Sequence, residues 1–457
     1  MLATLKEIIL EFQELEIETG VPRRLDLTQV AGKATICIGV RRSGKSTFML
    51  QLAQRLLADG VSRQNILHLN FFDDRLHTLR HDNLGMVLEA YFSLYPEKKN
   101  HEKIYCFFDE IQVVPGWEAF IDRLMRTEKC EVYITGSSAQ MLSKEIATQM
   151  RGRALAWEMY PFSFSEFLDY SKIDSQPPLT AKRRMLVQKA FDAYWEQGGF
   201  PEVAGMPRRL RIKTHQEYFS AVLFRDLVER HDVSHPRAIT GLAHRLVDNI
   251  ASLYTVNALT GYLKSLGHKA PKAAVSDYLE WFEDAYFLFT VRIFDTSLSR
   301  ANANPKKIYC IDQALAASVG SGILVNAGHL LENLIFVALR RTTPDIWYYR
   351  TRNGREVDFL VQQEDRTRRL IQVCETLAEP QTRKRELAAL TEAMAELNLT
   401  TATIVTRQDE DRIEIEAGRI DVIPAWRFLL DVEANQSTIL ASHEFAAAQR
   451  RPTSADS

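Results

Sequence analysis

Nine consecutive residues, Gly39-Val40-Arg41-Arg42-Ser43-Gly44-Lys45-Ser46-Thr47, carry the densest chemical information in the chain. Their spacing, G-x-x-x-x-G-K-[ST], lets the glycines turn backbone N–H groups inward around phosphate oxygens. A helix beginning there would offer its positive end to the same charge. Gly39, Arg42, Ser43, Gly44, Lys45, Ser46 and Thr47 are therefore expected to cradle the phosphates of a nucleotide, with Lys45 reaching the β- and γ-phosphates and Ser46 on Mg²⁺. A second signal lies downstream, where Ile104 to Phe108 runs into Asp109-Glu110. Asp109 fits a ligand position for the same Mg²⁺, and Glu110 fits the base that activates an attacking water. A Glu directly after the Asp favours water as nucleophile, hence a hydrolase of the nucleotide over a small-molecule kinase.

Two further sets belong to the same chemistry. Thr135-Gly136-Ser137-Ser138 ends an apolar run, and Ser137 or Ser138 is expected to face the γ-phosphate or the lytic water. Met150-Arg151-Gly152-Arg153 offers guanidinium groups, which stay protonated and bind phosphoryl oxygens in pairs.

Such residues need a rigid frame, and the flanking pattern supplies one. Apolar runs of strand length occur at Ala34–Ile38, Asn65–Leu69, Ile104–Phe108, Val132–Thr135 and Leu155–Met159, alternating with helical patterns. Near-continuous apolar strands predict a parallel sheet covered on both faces, an α/β arrangement. The helix after the first strand reads from Ser46 to Leu57, with Gly60 as its stop.

The whole chain of 457 residues suggests about three domains at roughly 150 residues each. Its 57 basic and 59 acidic residues leave a formal charge of −2, which excludes binding nucleic acid by bulk positive charge. The 46% hydrophobic and 25% charged composition excludes wholesale disorder. No apolar run approaches a membrane span, and the first residues lack the pattern of a signal peptide. Five single cysteines without C-x-x-C spacing point to reduced thiols and to the cytoplasm.

Charge is unevenly spread. Between Arg208 and Lys272 eleven basic residues face five acidic ones. Val256–Leu266, the turn Gly267-His268 and Pro271–Ala285 read as helix, turn and helix, with Phe287–Phe294 as a strand behind them. Lys264, Lys269 and Lys272 lie where phosphate contacts are useful. Against this, Asp277, Glu280, Glu283 and Asp284 make the rest of the second helix acidic, and Tyr278, Leu279, Trp281 and Phe282 suit packing. The alternative is a protein-docking module.

Together these motifs resemble the AAA+ ATPases. More narrowly, Gly39–Thr47, Asp109-Glu110-Ile111-Gln112, Pro115-Gly116-Trp117-Glu118, Thr135-Gly136-Ser137-Ser138, Gly152-Arg153, Pro161–Phe167 and Gly198-Gly199-Phe200-Pro201-Glu202 resemble an archaeal-type ATPase family found in bacteria and archaea. The resemblance implies an α/β fold: a P-loop AAA+ core (1–165), a helical lid (166–207), a winged-helix-like module (208–295), a restriction-endonuclease-like domain (296–440) and a flexible tail (441–457). It also implies a homo-oligomeric ring, plausibly a hexamer, with Ser138 or Ser137 as sensor. Arg153, or else Arg151, would be the finger offered to a neighbour's ATP. Glu332, Asp358 and the strand Ile371-Gln372-Val373-Cys374 resemble the endonuclease core, but Gln372 and Cys374 stand where a metal-binding acid and a lysine belong. The expected function is ATP hydrolysis coupled to binding, remodelling or movement on DNA. The alternatives are an ATP-gated switch acting on protein partners and, third, a metal-dependent nuclease.

Overall fold

The computed structural model describes residues 1–434 apart from 26, 28, 82–83, 138–149, 151, 269, 321–325 and 364. Ser138, Arg151 and Lys269, each singled out by sequence, lie outside the described residues. The chain divides into two compact units, one of residues 1–161 with 284–286 and one of residues 162–283 with the chain from 287 onward.

In the first unit the apolar runs become strands β1 (Ala34–Ile38), β2 (Ile66–Asn70), β3 (Ile104–Asp109), β4 (Cys130–Gly136) and β5 (Ala154–Glu158). They pair in the order β2-β3-β4-β1-β5, parallel throughout. The expected parallel α/β sheet is therefore present. Helices α1 (Leu2–Glu14), α2 (Lys45–Ala58), α3 (Gly85–Leu94) and α4 (Trp117–Thr127) accompany it. One core joins α1, α2 and the sheet through Phe12, Cys37, Phe48, Met49, Ala53, Ile66, Phe107, Tyr133 and Met159. Because β1 lies inside the sheet, between β4 and β5, the loop leaving it opens at the carboxyl end of the sheet, where open α/β folds place ligands.

The second unit starts with the helix Phe164–Tyr170, closed by a reciprocal capping box between Ser163 and Glu166. The helix Ala181–Gln197 follows and ends at Gly198. Gly198 has φ +75°, and a Cβ there would lie 2.3 Å from the Asp312 carboxylate. That carboxylate accepts the Gly199 N–H and also caps the helix Gln313–Val319 through the amides of Ala314 and Leu315. The two glycines thus let the chain turn against a carboxylate that lies 113 residues further on.

Beyond it come the helices Arg208–Ala221, Pro236–Val247, Val256–Ser265 and Lys272–Asp284. Strands β6 (Leu253–Tyr254), β7 (Leu288–Val291) and β8 (Lys306–Cys310) form a small antiparallel sheet in the order β6-β8-β7. The helix Ala327–Arg340 leads into a six-stranded mixed sheet ordered β13-β14-β12-β11-β10-β9. Its strands are β9 (Ile346–Arg350), β10 (Glu356–Gln362), β11 (Arg368–Val373), β12 (Thr401–Thr406), β13 (Asp411–Ile415) and β14 (Gly418–Pro424). The helix Pro380–Leu397 packs Ala389, Leu390, Ala393 and Met394 onto its apolar face.

Candidate nucleotide site

The phosphate loop is shaped by positions that tolerate no side chain. Gly39 has φ +151°, and a Cβ on it would sit 2.0 Å from the carbonyl oxygen of Met159. Gly44, the residue before α2, has φ +95°, and Arg42 also lies in the left-handed region at +66°. Alternating backbone of this kind turns successive N–H groups toward one point, a ready anion cradle. Lys45 is the first residue of α2 and is buried, its ammonium donating to the carbonyls of Gly39 (2.9 Å) and Val40 (3.0 Å). The Ser43 hydroxyl is buried and has no hydrogen-bond partner among the described residues. A phosphate entering the loop would meet this donor and compete for the Lys45 ammonium.

The acids arrive on the neighbouring strands. Asp109 ends β3, near the Ser46 hydroxyl of α2. Burial raises its carboxyl above the ordinary range, while the Thr135 and Ser46 hydroxyls work in the opposite direction. Thr135 lies in β4, between β3 and β1, and joins both acids. Its hydroxyl donates to Asp109 Oδ1 and accepts the backbone N–H of Glu110 at 2.9 Å. Glu110 takes the left-handed conformation at φ 55°, which aims its carboxylate toward the loop, 4.0 Å from Lys45 Nζ. Gln112 donates to the other Glu110 oxygen. A non-glycine residue held at positive φ costs of order 1 kcal/mol or more and persists when its surroundings dictate it.

The donor set fits the groups expected there. Ser46 and Asp109 bring a hydroxyl and a carboxylate to the same place, the oxygen pair that suits Mg²⁺. Ser137, one residue past β4, is buried and its hydroxyl has no partner among the described residues. Arg153 stands apart from this cluster. Its guanidinium pairs with Asp122 of α4 at 3.4 Å, which Arg126 also contacts at 3.0 Å. Thus Lys45, Ser46, Asp109 and Glu110 converge, whereas Arg153 is held at the entry to β5.

Two residues to which the motifs assign no role complete the site. Thr135 is one; it opens the Thr135-Gly136-Ser137-Ser138 run, from which only the serines are expected to act. Arg23 is the other. It is buried, and its guanidinium donates to the carbonyl of Ser43 and to that of Tyr160 at 2.7 Å. Its N–H donates to Gln51 of α2, whose amide donates in turn to the carbonyls of Thr19 and Val21. The segment before β1 therefore grips the phosphate loop from behind.

With this geometry in place, comparison with known proteins is informative. The sequence model of the AAA domain matches residues 31–168. Residues 188–324 and 327–428 match two domains of unknown function, DUF8612 and DUF4143. An uncharacterized protein of the archaeon Methanocaldococcus jannaschii is 31% identical over 436 residues, spanning 93% of this chain and 95% of the relative. The chain belongs to the same family as this relative, a family that carries an AAA domain. A second uncharacterized relative of the family, from Haemophilus influenzae, is 29% identical over 329 residues, 72% of this chain and 79% of that one. Among solved structures, the Aeropyrum pernix ORC1 protein in complex with DNA aligns at TM-score 0.30 and 12% identity, covering 70% of this chain and 90% of that chain. AMPPCP-bound DnaA from Aquifex aeolicus aligns at TM-score 0.26 and 10% identity, over 61% of this chain and 86% of that one. The AAA match begins three residues before β1 and ends inside the helix Phe164–Tyr170, so it takes in the whole sheet and every convergent residue from Gly39 to Glu110.

The remaining candidates lie in the second unit. Lys264 is exposed in the last turn of the helix Val256–Ser265, and Lys272 opens the helix Lys272–Asp284. That helix buries Val275, Tyr278, Leu279 and Phe282 and exposes Ser276, Asp277 and Glu280. The apolar residues thus serve packing. Among the described residues no helix is long and apolar enough to cross a membrane. All five cysteines are free thiols.

Proposed function

We propose that this chain hydrolyses ATP to ADP and phosphate and couples the reaction to binding and remodelling of DNA. The observation that carries the hydrolytic part is the convergence of Lys45, Ser46, Asp109 and Glu110, with both acids held by the hydroxyl of Thr135. Gly39 to Thr47 would hold the triphosphate through backbone N–H groups and the Lys45 ammonium. Ser46 and Asp109 would hold Mg²⁺, which supplies positive charge at the phosphate oxygens. Glu110, fixed through its own N–H, would accept the proton of the attacking water, and Ser137 or Ser138 would orient that water or the γ-phosphate. Arg153, or Arg151, would act across a subunit boundary in a homo-oligomeric ring, plausibly a hexamer. Its present partner Asp122 would hold it in reserve.

The DNA part rests on the second unit. A helix, a short strand, two helices, a strand, the short helix Leu298–Ala303 and a last strand follow one another from Pro236 to Cys310, and that last strand lies between the other two. This order supports a winged-helix module, with Lys264, Lys269 and Lys272 as candidate phosphate contacts. A second reading, an ATP-gated switch acting on protein partners, is favoured by Asp277 and Glu280 on the exposed face of the helix Lys272–Asp284, which repel phosphate.

ATPase rates of the full chain with no DNA and with single-stranded, duplex and branched DNA separate these readings. Stimulation that declines with salt is expected for the first, because phosphate contacts release counterions. A rate indifferent to every DNA would leave the switch. Lys45→Ala should abolish ATP binding, and undiminished hydrolysis in that variant would remove the shared core of both.

A further inference from the structure

The carboxylates that resemble a nuclease site surround a lysine. Lys307 in β8 is 2% exposed, and its ammonium lies 2.9 Å from each of Glu332 Oε1, Asp358 Oδ1 and Glu356 Oε1. Three donors thus meet three carboxylates. Glu332 comes from the helix Ala327–Arg340, and Glu356 and Asp358 come from β10.

The oxygens a metal ion would need are already committed. Glu332 Oε1 also accepts the hydroxyl of Tyr309 at 2.6 Å. Asp358 Oδ2 accepts the backbone N–H of Val373 at 2.9 Å. Gln372, at the position of the second nuclease acid, accepts the Asp358 N–H through its Oε1 and donates its Nε2 to Glu386 at 2.8 Å. Among the described residues no group of three or more His, Cys, Asp or Glu side chains is arranged to hold a metal ion. The residues present therefore do not fit the divalent ion that the endonuclease resemblance implies.

We infer that Lys307 is the resident cation of this pocket: its ammonium fills the position a divalent ion would take, and the pocket is not a metal site. Burial opposes a charged ammonium, but Asp358 and Glu332 more than offset it and hold Lys307 protonated. Removing one partner of a buried ion cluster leaves the remaining charges without compensation, so the lysine is also a structural requirement. Because β8 belongs to the small sheet β6-β8-β7, the same ammonium fastens that sheet to the domain after it.

The test uses the full chain and Mn²⁺, read by electron paramagnetic resonance and by thermal melting. Nucleotide-free protein carrying Asp109→Asn, which silences the ATP site, is expected to hold no stoichiometric Mn²⁺. One bound Mn²⁺ in that protein, lost on adding Asp358→Asn, would overturn the inference without any change to Lys307. Lys307→Met should melt several degrees below the parent chain, and millimolar Mn²⁺ should raise its melting temperature but not that of the parent or of Lys307→Met/Asp358→Asn. If Lys307→Met melts like the parent, or if Mn²⁺ leaves its melting unchanged, the ammonium is not acting as the pocket's cation.

Discussion

Replacing Arg23 tests how the phosphate loop is held. In Arg23→Ala two charge-assisted hydrogen bonds vanish, to the carbonyls of Ser43 and Tyr160, both buried contacts. Bonds of this type contribute about 1.5–3 kcal/mol each, so the folded first unit should lose roughly 3–6 kcal/mol. That loss by itself lowers the melting temperature and says nothing about ATP. Affinity falls only to the extent that the released loop gains freedom which the nucleotide must then remove. The Ser43 contact is the one inside the loop, so at most about 3 kcal/mol is available, a ceiling of roughly 150-fold on the weakening of ATP binding. Titration calorimetry with a non-hydrolysable ATP analogue gives the dissociation constant, and turnover at saturating ATP gives kcat. We expect the dissociation constant to rise tenfold or more and kcat at saturation to change by less than threefold. Arg23→Lys, which can reach one carbonyl but not both, should fall between. If Arg23→Ala melts earlier yet binds ATP within twofold of the parent, Arg23 is a fold anchor only and the reasoning fails.

Three further outcomes follow from described contacts. Glu110→Gln keeps the backbone N–H that bonds Thr135, so it should bind ATP normally, stay folded and lose at least 100-fold in turnover; near-normal turnover would remove Glu110 as the base. Gly198→Ala places a methyl against Asp312 at a φ, ψ of 75°, −172° that suits glycine alone. A loss of about 3–5 kcal/mol is expected in chemical denaturation, and Gly198→Ala/Asp312→Ala should cost less than the sum of its parts. His68 stacks on Phe12 at 4.4 Å, and burial pushes its imidazole down to about 4. The unfolded chain takes up that proton near pH 6.5, so stability should be complete above pH 6.5 and fall by about 3 kcal/mol towards pH 4; in His68→Phe that slope should flatten.

Local pattern made the α/β sheet legible, and the reason is physical. A strand buried on both faces must be apolar along its length, and β1 to β5 announce themselves by that alone. The loop was legible for the same kind of reason, since a side chain at Gly39 would strike the Met159 carbonyl and Gly44 takes a left-handed conformation that favours glycine. What the sequence concealed are contacts whose partners lie far apart along the chain. Arg23 reads as one of many basic residues until the fold lays it behind Ser43, and Asp312 as a helix cap until Gly198 is packed against it. Lys307 sits in an ordinary strand-like run, and no spacing rule connects it with acids 25 to 51 residues later. Gln372 and Cys374 did signal that the nuclease pattern was broken; what replaced it came from a different sheet.

The ammonium of Lys307 also bears on the order in which the chain can be completed. A ribosome makes this residue before any of its three counter-ions, and Asp358 follows 51 residues later. Until then β8 carries a cation destined for burial with nothing to receive it, so burying that side of the sheet β6-β8-β7 is opposed until the acids arrive. The match to one domain of unknown function ends at residue 324 and that to the next begins at 327. A boundary drawn there by homology cuts through one electrostatic unit. A fragment ending at residue 324 would be released with an orphaned charge in its core.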